Sequence, residues 1–228
     1  MMKPRITMLV LVTSYLGFYL GLRSMDQYLF TKGQILLFIH LMVGTFLTAS
    51  GAAVLNQVIE KDHDAKMKRT QNRPIPSGRV DWRHALNFGV ILCIVGSVYL
   101  FQFTNTLTGG LSFLTIILYL FVYTPSKRVS TWNTVIGSIP GALPPLGGWA
   151  ASTGNLTAPA WILFGILFFW QIPHFMAIAI LYTKDYKEGG FKMMPGEYPN
   201  SSRTGYSRWH TSLPNTPTMR PINAVSAG

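Results

Sequence analysis

Six long runs of apolar residues, separated by short polar stretches, occupy the first 182 positions of this 228-residue chain. An α-helix needs about 20 mainly apolar residues to cross a bilayer. Six segments have or approach that length, at about 6–22, 34–55, 84–103, 107–123, 133–152 and 160–182. The pattern therefore predicts an all-α fold, a polytopic bundle of transmembrane helices.

Two of these runs are less regular than the others. The first is short, but no small-residue cleavage site follows its charged start, so we expect a retained helix rather than a signal peptide. The fifth, TVIGSIPGALPPLGGWAAS, is rich in Gly and Pro. Such a sequence lets helices pack closely or kink where neighbouring protein satisfies the backbone.

The distribution of charge predicts the orientation of the bundle. Only 12% of the residues are charged, against about a quarter in soluble domains, and the net charge is +11. Lys and Arg are concentrated in the second and fourth loops and after the sixth run. By the positive-inside rule these loops and the N-terminus are cytoplasmic. The expected partner of this charge is the lipid bilayer and not nucleic acid.

Carboxylates are concentrated in the second loop, within 56–79, NQVIEKDHDAKMKRTQNRPIPSGR. Glu60, Asp62 and Asp64 are three of the chain's eight acids. If the second helix continues past Asn56, then Asn56, Glu60 and Asp64 form one stripe, because each step of four residues turns the face by only about 40°. Under that geometry Asp62 points elsewhere.

Oxygen ligands of this kind suit Mg²⁺, which proteins hold with one or two carboxylates together with substrate phosphates. Arg69 and Arg73 then supply paired donors for phosphate oxygens. The alternative is a solvated charged loop whose acids pair with the neighbouring lysines. A binding role is favoured because unpaired charge beside hydrocarbon is costly.

Four motifs in order resemble a known family. The segment 56–74 reads N-x-x-x-E-x-D-x-D-x-x-M-x-R-T-x-x-R-P, and YTPSKRVSTWNTVIGSIPGALPPLGGW, FWQIPHFMAIAILY and KDYKEGGFKMMP follow at 123–149, 169–182 and 184–195. Together they resemble the UbiA-type intramembrane prenyltransferases and, among these, the protohaem IX farnesyltransferases. The resemblance covers about residues 6–200.

The resemblance implies the roles of individual residues. It implies that Mg²⁺ is held by Asn56, Glu60, Asp64 and Asp185. It implies a catalytic set of Asn56, Glu60, Asp64, Lys127, Tyr182 and Asp185. It implies substrate binding by Asp62, Arg69, Arg73, Arg128 and Lys184. The second acidic motif departs from the family pattern, since Asp185 is followed by Glu188 rather than by another Asp.

Two tyrosines and two histidines inside apolar runs are further candidates for substrate binding. Tyr119 and Tyr123 lie one helical turn apart and could face an allylic cation, or could be ordinary interfacial residues. An imidazole is unusual within a membrane span. We therefore hypothesise that His174 contacts haem or its iron, the alternative being a hydrogen bond to a neighbouring helix. His40 is a weaker candidate for the same role.

The implied reaction joins farnesyl diphosphate to a vinyl group of haem b, with addition of water, to give haem O. Haem b is then a substrate, and Mg²⁺ the cofactor. The resemblance also implies residence in the bacterial inner membrane, with haem A synthase or oxidase assembly factors as protein partners. Two rival functions are prenyl transfer to a quinone or chlorophyll precursor and cation transport through Glu60 and Asp64.

The end of the chain departs from the family. Members have about nine spanning helices, and this sequence follows the pattern for about six of them. We expect a prenyltransferase core at 1–194 and a polar, disordered tail at 195–228. The abrupt change suggests a frameshift or premature end, from which we expect a polypeptide that is inactive or weakly active alone.

Overall fold

The computed structural model describes residues 4–188 and 190–191, and helices account for most of them. In this part of the chain the α-helices are α1 (Pro4–Ser24), α2 (Lys32–Ile59), α3 (Lys61–Asp64), α4 (Trp82–Phe103), α5 (Thr106–Ile117), α6 (Thr124–Val129), α7 (Asn133–Thr153), α8 (Ala158–Leu181) and α9 (Thr183–Glu188). The predicted boundary at 194 and the tail at 195–228 lie outside the described residues.

All six predicted runs are helical, and five are long and apolar enough to cross a membrane: α1, α2, α4, Thr106–Val129 and α8. The fifth predicted run, α7, is a continuous 21-residue helix that is less apolar. More than half of its residues are buried against other helices, so its small and polar side chains need not face lipid. The protein is an all-α, multi-pass membrane protein.

Small residues bring α1 and α7 into close contact. A β-carbon added to Gly148 would lie 1.9 Å from the carbonyl oxygen of Ser14, and one added to Gly17 would lie 2.0 Å from that of Pro145. Neither position therefore accepts a larger side chain without moving a backbone. The close packing expected of the Gly- and Pro-rich run is confirmed, and it places α7 against α1.

Capping residues mark the start of α5 and the end of α7. Asn105 precedes α5, where its side-chain oxygen accepts a hydrogen bond from the Thr108 amide at 2.8 Å. Its amide also donates to the carbonyl of Ala150 in α7, at 2.8 Å. α7 ends at Thr153, and the capping residue Gly154 has a φ of +73°, in the left-handed region that glycine adopts without strain.

A π-helical segment, Leu118–Tyr123, separates α5 from α6. The Thr124 amide donates to the Tyr119 carbonyl five residues earlier, and Pro125 follows with no amide hydrogen to offer. Such wide turns occur often at functional sites. The helical run was predicted, but its change of pitch was not.

The helices alternate in direction, so the bundle has two distinct ends. We call the end that carries Glu60 and Asp64 the acidic end, and the other the opposite end. At the opposite end a buried apolar cluster joins α1, α2, α4 and α7. Its members are Phe18, Leu22, Leu41, Leu100 and Ala151.

Candidate functional site

The predicted stripe of polar residues forms at the end of α2. α2 ends at Ile59, Glu60 lies at the junction, and α3 begins at Lys61. Helical hydrogen bonding continues across the junction, since the amides of Glu60 and Asp64 donate to the carbonyls of Asn56 and Glu60. The side chains of Asn56, Glu60 and Asp64 are all buried. The sequence pattern correctly placed them together.

Asn56 connects α2 to the start of α6. Its amide nitrogen donates to Glu60 Oε2 at 2.8 Å, and its oxygen accepts from Thr124 Oγ1 at 3.1 Å. The Thr124 hydroxyl also lies 2.8 Å from the Tyr119 carbonyl, so its one proton is shared between these two acceptors. Both ends of the Asn56 amide therefore bind protein groups, and the residue orients Glu60. Thr124 was missed because nothing in its local sequence indicates a partner 68 positions away.

Glu60 is paired with Lys127, which α6 positions. The Lys127 ammonium donates to Glu60 Oε1 at 2.8 Å and lies 4.4 Å from the centre of the Tyr123 ring. A buried charge pair needs such additional partners to offset desolvation. This contact fixes one carboxylate of α2 against the helix that follows the π-helical segment.

Asp64 is paired with Arg73 from the loop that follows α3. The guanidinium donates to Asp64 Oδ2 at 2.5 Å. The Asp64 carbonyl accepts a second hydrogen bond, from Thr70 Oγ1, at 2.8 Å. The basic loop therefore folds back over the stripe, and it is not the freely solvated loop that was the alternative.

Arg69 lies beside two tyrosines at the edge of the site. Its guanidinium carbon is 5.1 Å from the ring centre of Tyr182 and 5.9 Å from that of Tyr186. Burial raises the pKa of the Tyr186 phenol, while the charge of Arg69 opposes this shift. Tyr182 therefore contacts the site through Arg69 and does not line the cavity directly. Tyr186 lines it but was not predicted from the sequence.

A cavity of about 530 Å³ extends from these charges into the membrane-spanning part of the bundle. It is lined at one end by Glu60, Asp64, Arg69, Arg73 and Lys127. Along α7 its lining continues from Asn133 to Gly147, about 21 Å at 1.5 Å per residue. One continuous space therefore joins a charged head region to a deep channel.

Three threonine hydroxyl groups along the channel donate hydrogen bonds within their own helices. Thr13, Thr48 and Thr115 all line it, and each donates to the carbonyl four residues earlier, at 3.1, 3.1 and 2.7 Å. Because these hydroxyl protons are already donated to backbone carbonyls, a ligand in the channel does not have to accept them. Around these three threonines the channel suits an apolar ligand.

Aromatic side chains lie between the charges and the deep channel. Tyr119 and Tyr123 both line the cavity, with their ring centres 5.7 Å apart. Trp170 and His174 line it from α8, with nearly parallel rings 5.1 Å apart. The structure thus brings both tyrosines and His174, which were candidates for substrate binding, to the cavity lining.

Three predicted substrate-binding residues, Arg128, His40 and Asp62, lie outside the cavity lining. Arg128 donates to the Ile59 carbonyl at 2.9 Å, so it caps α2. His40 accepts or donates a 2.7 Å hydrogen bond with the Tyr99 hydroxyl. It lies 20 residues before Glu60 on α2, about 30 Å away at 1.5 Å per residue. Asp62 is exposed, as expected from the stripe geometry.

The second acidic motif is described only by its backbone. Lys184 and Asp185 lie in α9, directly after α8, but their side chains fall outside the described part of the structure. Their predicted roles stay predictions. Among the described residues, no cluster of three or more His, Cys, Asp or Glu could hold a metal ion. Glu60 and Asp64 are two carboxylates on one cavity, which is enough when substrate phosphates supply the remaining ligands.

Comparison with known proteins places this geometry in a family. The UbiA prenyltransferase family matches residues 10–210 of the chain. A protein named protoheme IX farnesyltransferase from Solibacter usitatus is 47% identical over 204 residues, covering 89% of this chain and 70% of the relative. Proteins of the same name from Opitutus terrae and Salinibacter ruber are 46% and 44% identical. The matches cover 85% and 89% of this chain, and 63% and 69% of those relatives.

Solved structures show the same fold at low sequence identity. The apo structure of a UbiA homologue from Aeropyrum pernix K1 matches with a TM-score of 0.69 and 21% identity, covering 92% of this chain and 76% of the other. A UbiA homologue from Archaeoglobus fulgidus bound to DMAPP and Mg²⁺ has a TM-score of 0.69 and 16% identity, with coverages of 91% and 71%. The chain belongs to the UbiA prenyltransferase family.

Proposed function

We propose that this UbiA-family chain transfers a farnesyl group from farnesyl diphosphate to a vinyl group of haem b, with addition of water, giving haem O. The observation that carries the proposal is the single cavity in which buried, paired charges meet a deep apolar channel. The names of the relatives, protoheme IX farnesyltransferase, support the choice of donor and acceptor.

The charges that line the cavity suit a diphosphate with a divalent cation. Glu60 is paired with Lys127 and Asp64 with Arg73, so the two pairs cancel and Arg69 leaves one net positive charge. A diphosphate carries more negative charge than that. The site therefore fits an added Mg²⁺, which would be held by Glu60 and Asp64 and would neutralise the leaving diphosphate.

The cations of the site stabilise the diphosphate as it leaves. Lys127 and Arg73 each keep donors in addition to those that bind the acids, because an ammonium has three N–H groups and a guanidinium five. Charge-assisted hydrogen bonds from these donors strengthen as negative charge develops on the leaving group. Arg69, held by Tyr182 and Tyr186, supplies a third cation at the mouth of the site.

The farnesyl tail occupies the channel, and the reacting carbon lies near the tyrosines. Tyr119 and Tyr123 present aromatic rings between the charges and the channel, where a ring face stabilises an allylic cation. Apolar walls delay capture of that cation by water until the vinyl carbon has attacked. Asn56 and Thr124 act by positioning Glu60.

The proposed setting is the bacterial inner membrane, with the acidic end toward the cytoplasm. The positive-inside distribution of Lys and Arg supports this orientation, since Lys127, Arg69 and Arg73 all lie at the acidic end. Farnesyl diphosphate then enters from the cytoplasm. We propose haem A synthase or an oxidase assembly factor as the protein that receives the product.

The test is binding of farnesyl thiolodiphosphate, a poorly reactive analogue, to the full chain in lipid nanodiscs. We expect binding that requires Mg²⁺ and weakens at least about 100-fold in Asp64→Asn, by analogy with the loss of one charge-stabilising group. Asp62→Asn is the matched control, because Asp62 is exposed and outside the cavity lining.

Equal loss in both variants, or binding independent of Mg²⁺, would contradict the proposed diphosphate site. Product formation is followed in the same preparation by mass spectrometry after addition of farnesyl diphosphate and haem b. Products made with a quinone precursor but not with haem b would contradict the proposed acceptor.

A further inference from the structure

His174 differs from His40, another histidine located in a spanning helix. His40 makes a 2.7 Å hydrogen bond with Tyr99 and stacks on Phe103, with ring centres 5.0 Å apart. His174 has ring contacts with Trp170 and Phe175, and no hydrogen-bond partner among the described residues. Contacts between helices thus account for the imidazole of His40, whereas they do not account for that of His174.

His174 lines the cavity from α8, and its side chain is exposed. It lies beside Gln171 and Ile178 in the lining, and nearly parallel to the Trp170 ring, with an interplanar angle of 12°. Stacking on a large flat ring restricts how the imidazole turns. A polar ring in a membrane span is costly unless it serves a ligand or a partner. The position therefore offers a constrained nitrogen donor to whatever occupies the cavity.

The depth of His174 in the bundle is compatible with a planar acceptor bound below the diphosphate. His174 lies eight residues before Tyr182, about 12 Å along the helix. Tyr182 contacts Arg69, so it lies at the same depth in the bundle as the charged head region. A ligand centred at His174 lies about two helical turns below the cations. The edge of a macrocycle there can approach the carbon that leaves the diphosphate.

We propose that His174 is an axial ligand to the iron of haem b when haem occupies the cavity. This inference rests on the proposed function, because it concerns the acceptor of that reaction. A neutral imidazole nitrogen replaces a water molecule on ferric iron, with no change in oxidation state. The bond fixes the distance of the iron from α8 and so restricts which edge of the macrocycle faces the farnesyl carbon.

The experiment titrates ferric haem b into the full chain in nanodiscs and records absorption and electron paramagnetic resonance spectra. We expect a histidine-ligated spectrum for the unmodified chain. In His174→Ala we expect loss of that spectrum and at least tenfold weaker haem binding. Added imidazole should restore the spectrum, which a merely structural role would not allow. His174→Met should give a distinct, thioether-ligated spectrum.

His40→Phe is the matched control, since it removes an imidazole from another spanning helix outside the cavity lining. Its haem spectrum should match that of the unmodified chain. Binding of farnesyl thiolodiphosphate is measured on every sample and should be unchanged in His174→Ala, which verifies folding. A variant that loses both ligands has lost the site as a whole and would contradict a specific role in iron ligation.

The outcomes separate this inference from the function on which it rests. An unchanged haem spectrum in His174→Ala overturns the ligation and leaves the proposed reaction standing. A chain that binds farnesyl thiolodiphosphate but no haem overturns both the ligation and haem as acceptor. Loss of the spectrum in His40→Phe as well as in His174→Ala assigns the effect to the bundle rather than to the iron.

Discussion

At the acidic end, α2 is joined to α6 by the Glu60–Lys127 pair and by the Asn56–Thr124 hydrogen bond. At the opposite end, α1, α2, α4 and α7 meet through the apolar cluster around Phe18. Polar contacts are directional and hold atoms at fixed positions, whereas apolar packing resists separation without fixing one orientation. Polar contacts therefore fix the relative positions of the helices at the acidic end, whereas apolar packing holds them together at the opposite end.

This difference has a consequence for substitutions. A change at a cluster residue outside the cavity lining, such as Phe18, should cost stability and leave ligand binding intact in the protein that remains folded. A change in the polar contacts should cost binding even where the stability is restored. The three predictions below test that separation, from the largest effect to the smallest.

Truncation of the apolar cluster should have the largest effect. Phe18 is fully buried and does not line the cavity, so Phe18→Ala leaves a void between α1 and α2. We expect a loss of about 3–5 kcal/mol in the free energy of unfolding. Unfolding is followed by denaturing detergent titration from mild micelles. The affinity of the folded fraction for farnesyl thiolodiphosphate should stay unchanged, and a parallel fall in affinity would contradict the separation of the two ends.

Breaking the Glu60–Lys127 pair should separate stability from binding. Lys127→Met leaves the buried Glu60 charge without this partner, and we expect a loss of about 3 kcal/mol in the free energy of unfolding. The double variant Glu60→Gln/Lys127→Met removes both charges and should recover most of that loss. It should still bind the diphosphate analogue at least about 100-fold more weakly than the unmodified chain. Recovery of binding along with stability would show that the pair only supports the fold.

Single hydrogen bonds at the two ends should have the smallest effects. Thr124→Val removes the bond to Asn56 and should cost about 1 kcal/mol of stability, together with about a fivefold loss of diphosphate affinity. Tyr99→Phe removes the bond to His40 and should cost about 0.6 kcal/mol, with no change in affinity. Both are measured by the same unfolding and binding titrations. An affinity loss in Tyr99→Phe would mean that the opposite end also positions the site.

Much of the site could be predicted from local sequence because it lies on one helix. Asn56, Glu60 and Asp64 recur every four residues, and helical geometry alone places such residues on one face. The loop residues Arg69 and Arg73 follow closely, so few conformations separate them from the stripe. The helical runs were equally predictable, because a membrane span needs a long apolar segment.

Residues brought together from distant parts of the chain could not be predicted in that way. Thr124 meets Asn56 only because the π-helical segment turns it toward α2, and no local pattern encodes that turn. Arg128 lies next to Lys127 in sequence, yet it caps α2 rather than facing the cavity. His40 and His174 looked alike as imidazoles in apolar runs, and only their neighbours in space distinguish them.

The sequence by itself therefore determined a helical membrane protein with an acidic stripe and a basic loop. Both follow from local properties of the chain, namely the length of its apolar runs and the spacing of residues along a helix. The tertiary structure decided which cation meets which acid, which histidine faces the cavity and how deep the channel extends. Those properties depend on the distances between helices, which are set by packing among residues far apart in sequence. The contact of Gly148 with the Ser14 backbone is one such determinant.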